Sequence, residues 1–220
     1  MFTPQPLRSV KAPFDHPDWI FELKYDGFRA LARLENGRCQ LISRNGNRFS
    51  SFSELERQIE KTLPGNALLD GEIVCLDDRG RPQFEDLLFR RGTPCFFSFD
   101  LLTRDGLDLR SASLTDRKQE LRRFLMKTKS PVKYADHIDR TGIALFERVC
   151  QLDLEGIVAK YKFAPYGTAK EASPWVKIRN REYSQMRGRE KLFERDRHRE
   201  PVPGWHSCDL ACQDVEYAEA

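Results

Sequence analysis

Along the chain, apolar and polar positions alternate first from Trp19. "WIFELKYDG" and "RALARLENGRCQLISRNG" read as two strands and a hairpin, because the period-two pattern puts alternate side chains on opposite faces. "ENGR" marks the hairpin turn, since Asn-Gly accepts positive φ. "SELERQIEKTL" changes to a helical period, with Ser53 as expected N-cap and Glu56 three residues on, the pattern of a capping box. Strand alternation returns in "NALLDGEIVCLD" and "CFFSFDLL", separated by a turn at "DDRGR" and a short helix near "QFEDLLFR". "SLTDRKQELRRFLMKT" is the clearest helix, with Leu121, Phe124 and Leu125 on one face and charges opposite. A further helix is expected over about Arg140 to Gln151. The strand "EGIVAK", a Gly/Pro/Ala-rich loop and the strand "SPWVKIRN" follow. Hairpins and helices are mixed rather than strictly alternating. The expectation is therefore an α+β fold of mainly antiparallel sheets flanked by helices.

Three segments follow from this pattern. Residues 1–18, with four prolines, form an extended arm; 19–180 form one domain; 181–220 form a charged tail, a short helix near Arg189 to Arg197 and then a largely disordered end. At 220 residues the chain is long enough to bury a substantial core. Its 37 basic and 34 acidic residues nearly cancel, so no global field announces a polyanion partner, although the basic excess lies before Asn180. No apolar run is long enough to span a membrane and no signal-peptide core is visible, which points to a cytoplasmic protein. Cys39, Cys75, Cys95 and Cys150 stand singly in apolar or strand-like segments, the habit of buried free thiols. In the tail, His206, Cys208 and Cys212, with His198 as a fourth donor, match no common zinc-finger spacing and read as an exposed reducible segment.

The chemistry begins in "FELKYDGFRA". On an alternating strand, Lys24 and Asp26 share a face just before a chain reversal at Gly27. They are either an ion pair at an exposed strand end or the surroundings of a nucleophilic lysine. "LLDGEIV" sets Glu72 inside an apolar run, as a solvent-facing strand end or as a ligand for a ribose hydroxyl or a metal. In "CFFSFDLL", Phe97 and Phe99 share a face, in the core or stacked on a base. "LEGIVAK" carries Glu155 before its apolar run and Lys160 after it. "WVKIR" puts Lys177 and Arg179 on one face and Val176 and Ile178 on the other, an edge strand or a phosphate grip.

Taken in this order, "ELKYDGFR", "SRNG", "LLDGEIV", "FFSFDLL", "EGIVAK" and "WVKIR" resemble the six motifs of the covalent nucleotidyltransferase superfamily. The likeness covers about Trp19 to Asn180. It is nearest to the adenylation domain of bacterial ATP-dependent DNA ligases, including the ligase module of end-joining proteins. The resemblance implies ATP and Mg²⁺ or Mn²⁺ as cofactors and nicked duplex DNA as partner in repair, recombination and replication, at the bacterial nucleoid. It implies that Lys24 attacks the α-phosphate of ATP and holds AMP, with Asp26, Gly27 and Arg179 as further motif positions. Glu22 would read the adenine, Arg29 the ribose or a phosphate, and Glu72 the ribose. Phe99 would stack on the base, Glu155 with Glu72 would hold the metal, and Lys160 with Lys177 would grip the α-phosphate. Arg44 would meet the 5′-phosphate of the nick. Basic side chains around Arg29, Arg44 and Arg48 would hold the DNA backbone, a contact that weakens steeply with salt.

A lysine amine at its ordinary pKa of about 10.4 is almost wholly protonated, so a nucleophilic lysine needs neighbours that disfavour its charge. Lys160, Lys177 and a bound divalent cation would supply them. Ligases of this type continue into a five-stranded oligonucleotide-binding barrel. Only about forty polar residues follow "WVKIR", too few for that barrel. The expectation is a bare catalytic core that works alone or with a partner protein supplying the barrel or a DNA-end-binding function. The alternatives are an RNA ligase, an mRNA-capping-type enzyme or a non-catalytic ATP- or DNA-binding remnant.

Overall fold

The structure is a computed structural model that describes residues 4–126, 129–167, 173–187 and 189. The helix expected near Arg189 to Arg197, apart from Arg189 itself, and the His206, Cys208 and Cys212 group lie outside these residues. Two sheets face each other. The first runs in the order β1 (Arg8–Ser9), β11 (Trp175–Arg179), β10 (Gly156–Tyr161), β2 (Trp19–Leu23), β9 (His137–Asp139). The second runs β4 (Arg38–Ser43), β3 (Phe28–Glu35), β5 (Ala67–Cys75), β6 (Pro94–Arg104), β7 (Leu107–Asp108), with β8 (Val132–Tyr134) beside β6. All neighbouring strands are antiparallel except β1 with β11 and β6 with β8. The fold is α+β, as the pattern predicts.

Strand alternation divides each sheet between two cores. In β3, Ala30, Ala32 and Leu34 pack towards α1 (Ser53–Thr62) and α3 (Leu114–Leu125), while Leu31 points the other way. In the first sheet, Phe21, Ile157, Ala159, Val176 and Ile178 pack towards α4 (Gly142–Gln151). The opposite positions, Ile20 and Trp175, meet Leu31, Leu68, Leu102 and Leu114 between the sheets. Each such buried side chain contributes roughly 1.5–3 kcal/mol by leaving water. Because Glu22, Val158, Lys160 and Lys177 have the same parity as Ile20 and Trp175, the polar groups of three strands converge on the space between the sheets.

The hairpin turn at Asn36-Gly37 has φ of 51° and 73°, as "ENGR" requires. The expected capping box of α1 does not form. Ser53 is already inside the helix, Phe52 is the cap residue, and no side chain caps the end. Glu56 instead turns into the core, accepting from Leu41 N at 2.8 Å and pairing with Arg48. In α3 the cap is real: Ser113 Oγ accepts from Asp116 N at 3.2 Å. Its supposed solvent face is a different matter, because Arg117 and Lys118 are fully buried. The N-terminal arm does more than lead into the first strand. It adds β1 to the first sheet, buries Gln5 and brings Leu7 to the cavity between the sheets.

Candidate active site

Between the sheets lies a cavity of about 50 Å³ lined by Glu22, Lys24, Tyr25, Arg29, Glu72, Phe99, Val158, Lys160, Trp175, Leu7 and Leu23. Six of these are predicted site residues, brought together from five strands. Leu7, Leu23, Tyr25, Val158 and Trp175 are additions. Trp175 sits at the start of "WVKIR", where an aromatic of inward parity was the available signal.

At one end, Lys24 follows β2 and donates its N–H to Gly156 O at 2.9 Å, and its ammonium meets Glu155 Oε1 at 2.6 Å. Glu155 is buried, and among the described residues its Oε2 has no hydrogen-bond partner. Burial pushes this carboxyl up, Lys24 pulls it down and Asp26 pushes it up again, leaving it above its ordinary value. Glu72 is pushed up to about 8 by burial, with Lys24 and Arg29 opposing. Lys177 is pushed down to about 8 by burial, then by Arg179, Lys24 and Arg44, with Glu155 opposing. Arg44 and Arg179 are thus within electrostatic reach of this end.

Asp26 does not pair with Lys24. It turns away and accepts from Tyr183 Oη at 3.0 Å and from Arg189, whose guanidinium stacks over Phe84. The residues after β11 therefore fasten the underside of the Lys24 turn. Gly27 is needed for space: a Cβ there would lie 2.1 Å from Ile73 O of the neighbouring sheet.

At the other end, Glu22 is buried between two lysines, with Lys118 Nζ at 2.6 Å from Oε1 and Lys160 Nζ at 2.7 Å from Oε2. Burial alone would raise the Glu22 carboxyl; Lys118 and Lys160 outweigh it and hold it below the usual range. Lys160 lies 4.2 Å from the ring centre of Phe99 and 4.0 Å from that of Trp175. Its register partner on β11 is Trp175, while Lys177, on the same face two residues further along β11, pairs with Val158. Lys160 pairs in register with Ile20, whereas Lys24 sits at Gly156, four residues away along β10, about 13 Å at the usual strand rise.

Phe99 rather than Phe97 faces the cavity, since Phe97 stacks on Tyr25 with ring centres 4.1 Å apart. Arg29 does not reach out towards a DNA backbone. It is held inward by two bonds to Asp70, at 3.1 and 2.8 Å, and Asp70 also accepts from Tyr166 Oη. Arg48 is half-exposed, but its charge is answered by Glu56.

A lysine and buried carboxylates at one end of a strand-walled slot, with aromatic faces and a fixed ion triad at the other, define a nucleotide-transfer site on a two-sheet scaffold. The family model of the ATP dependent DNA ligase domain matches residues 5–179, and the chain belongs to that family. The bifunctional non-homologous end joining protein LigD of Bacillus subtilis (strain 168) is 36% identical over 214 residues, covering 81% of this chain and 34% of that protein. The multifunctional LigD of Pseudomonas aeruginosa is 33% identical over 172 residues, covering 74% of this chain and 20% of its own length. The chain thus spans about a third and a fifth of these relatives. Among solved structures, mycobacterial DNA ligase D complexed with ATP and MES superposes with a TM-score of 0.71 at 25% identity, over 81% of this chain and 60% of that one. No helix among the described residues is long and apolar enough to cross a membrane.

Proposed function

We propose that this chain is a self-adenylating DNA ligase core. Lys24 takes AMP from ATP, passes it to the 5′-phosphate of a nick in duplex DNA, and the 3′-hydroxyl then seals the strand with release of AMP. The observation that carries this reading is the Lys24–Glu155 pair at 2.6 Å, on a buried carboxylate whose second oxygen has no partner among the described residues. In the first step Glu155, a carboxyl raised by burial, takes one proton from the Lys24 ammonium and frees its lone pair; the nitrogen bonds to the α-phosphorus, the bond to pyrophosphate breaks, and the second proton leaves the nitrogen with the departing pyrophosphate. Lys177, with Arg179 and Arg44 near it, supplies positive charge where charge develops on the phosphate.

A divalent cation fits the donors present. The orphaned Glu155 Oε2 and the buried Glu72 carboxylate are hard oxygen ligands, and burial makes both costly to leave ionised alone. Bound there, the ion would neutralise the phosphates and ease departure of pyrophosphate. Phe99 and Trp175 offer faces for the base. Lys160 belongs at the base end of the slot, with Glu22, and not on the α-phosphate. Arg29, fixed by Asp70, lies between the two ends as a donor to the sugar.

Relatives with the word LigD in their names are end-joining proteins, which supports double-strand-break repair in the bacterial cytoplasm and a partner module that completes the reaction. The test is incubation with ATP labelled at the α-phosphate and Mg²⁺. A protein-bound label that Lys24→Ala removes is expected. ATP binding without any covalent label, at every ATP concentration, would reduce the chain to a nucleotide-binding module, and labelling by GTP in preference to ATP would favour a capping-type enzyme.

A further inference from the structure

Two lysines meet one buried carboxylate at the base end, although one would neutralise it. Taking a second ammonium out of water is costly, so its retention calls for a reason beyond charge balance. Lys118 does not line the cavity. Its ammonium is held from three directions: Glu22 Oε1 at 2.6 Å, Ala135 O at 3.0 Å and the Tyr134 ring at 4.6 Å. A lysine has three protons to give, and this surrounding occupies them all.

The support of Lys118 is equally fixed. Ala135 N donates to Ser98 O at 2.8 Å. The preceding residue on α3, Arg117, is locked to Asp100 Oδ1 and Oδ2 at 2.8 and 2.9 Å and to the carbonyls of Ala112 and Ala164. The helix therefore cannot roll to follow Glu22 if that side chain turns.

We propose that Lys118 is a positioning residue of the nucleotide site, which fixes the Glu22 carboxylate so that Glu22 and Lys160 present one acceptor and one donor to the edge of the purine. The inference rests on the ATP site proposed above and adds to it a residue outside every motif. With Oε1 taken by Lys118, only Oε2 remains for Lys160 and the cavity. Burial pushes both ammoniums down. For Lys118, Glu22 and Tyr134 outweigh this and hold it above its ordinary value, while Lys160 ends at about 8. Lys118 is thus the permanent counter-ion and Lys160 the adjustable one.

The consequence is discrimination. Adenine offers a 6-amino donor beside the N1 acceptor, and a 6-oxo purine reverses the two. A fixed acceptor–donor pair reads the first order and rejects the second, because a buried polar group left unmatched is expensive. A Glu22 free to turn would tolerate both.

The test compares binding of ATP and of inosine triphosphate by calorimetry, with thermal melting to verify folding. Wild type should prefer ATP. Lys118→Met should cut that preference by roughly tenfold, and Lys118→Arg should restore it to within about threefold. If Lys118→Met does not fold, Lys118→Gln, which keeps a donor without a charge, carries the same expectation of lost preference. A folded Lys118→Met or Lys118→Gln protein with an unchanged ratio would overturn the proposal, as would a Lys118→Arg protein no more selective than Lys118→Met. Because binding is read without the covalent label, a wild type that binds ATP but forms no adduct overturns the ligase reaction alone. A wild type that binds neither nucleotide overturns both.

Discussion

The two ends of the slot treat charge in opposite ways. At the base end, Glu22 is shared by Lys118 and Lys160, and Asp100 and Arg117 beside them are wholly buried and bonded to each other. At the reactive end, Glu155 has one oxygen on Lys24 and the other on nothing among the described residues, Glu72 sits at about 8 and Lys177 at about 8. The first arrangement spends its electrostatics on holding a shape. In the reaction proposed above, the second would leave charges mismatched until phosphate and a cation arrive, which is the condition for favouring a charged transition state over the resting site. Stability and reactivity are thereby assigned to different ends of one cavity, and substitutions should separate them.

The largest separation is expected at Glu155. Glu155→Gln removes the proton acceptor of Lys24, so single-turnover formation of the lysyl adenylate should slow by roughly 10²–10⁴-fold. The melting temperature should hardly move, since an amide is cheaper to bury than a carboxylate. A rate within threefold of wild type would remove Glu155 from the chemistry. The converse is Arg117→Met. It strands Asp100 as an unpaired buried charge, and unfolding by denaturant should show a loss of about 3–5 kcal/mol. A loss under about 1 kcal/mol would mean that the base end is not the stabilising half.

What could be read from the sequence follows the same division. Local patterns were legible: the Asn36-Gly37 hairpin and the strand parity that puts Val176 and Ile178 on one face and Lys177 on the other. The residues that gather at the Lys24 end were legible too, because Lys24, Glu72 and Glu155 are charges in or beside apolar strands, where solvation does not ask for them. Arg117 and Lys118 were not. On a helix bearing charges on half its positions, nothing local separates a charge that points to solvent from one that meets a buried carboxylate on a strand nearly a hundred residues earlier. Ser53 and Glu56 failed for a related reason: the capping pattern was present, but Leu41 N and Arg48 offered Glu56 better partners through tertiary contact. The place of Lys160 opposite Ile20 and Trp175 is likewise a matter of register between β2, β10 and β11, which spacing along the chain does not carry.

A subtler probe of the reactive end is pH. Lys177 titrates at about 8 in the folded protein, below the ordinary lysine value. Its charge, and with it the attraction for phosphate, is present below about pH 8 and is lost as pH rises through that value. The dissociation constant for ATP should therefore be flat below pH 8 and rise above it, by up to about tenfold per unit. Lys177→Arg keeps its charge throughout, so calorimetry across pH 7–9.5 should show a shallower rise, leaving only what Lys160 and Glu72, also near 8, contribute. A wild-type curve that stays flat to the end of that range would show that Lys177 does not meet the phosphates.

The smallest expected effect tests whether the base end is truly a supported scaffold. Ser113 Oγ accepts from Asp116 N and donates to Asp116 Oδ2 at 2.6 Å, closing the first turn of the helix that delivers Arg117 and Lys118. Ser113→Ala should cost about 1 kcal/mol of stability, the usual value of a lost cap. Ser53→Ala, at a helix start with no side-chain cap, should change stability by less than about 0.5 kcal/mol. Neither should alter the rate of lysyl adenylate formation at saturating ATP, because α3 supports the base end and contributes nothing to the reactive one. If Ser113→Ala slowed that step at saturation while the protein stayed folded, the two ends would be mechanically coupled through α3, and the division drawn between them would fail.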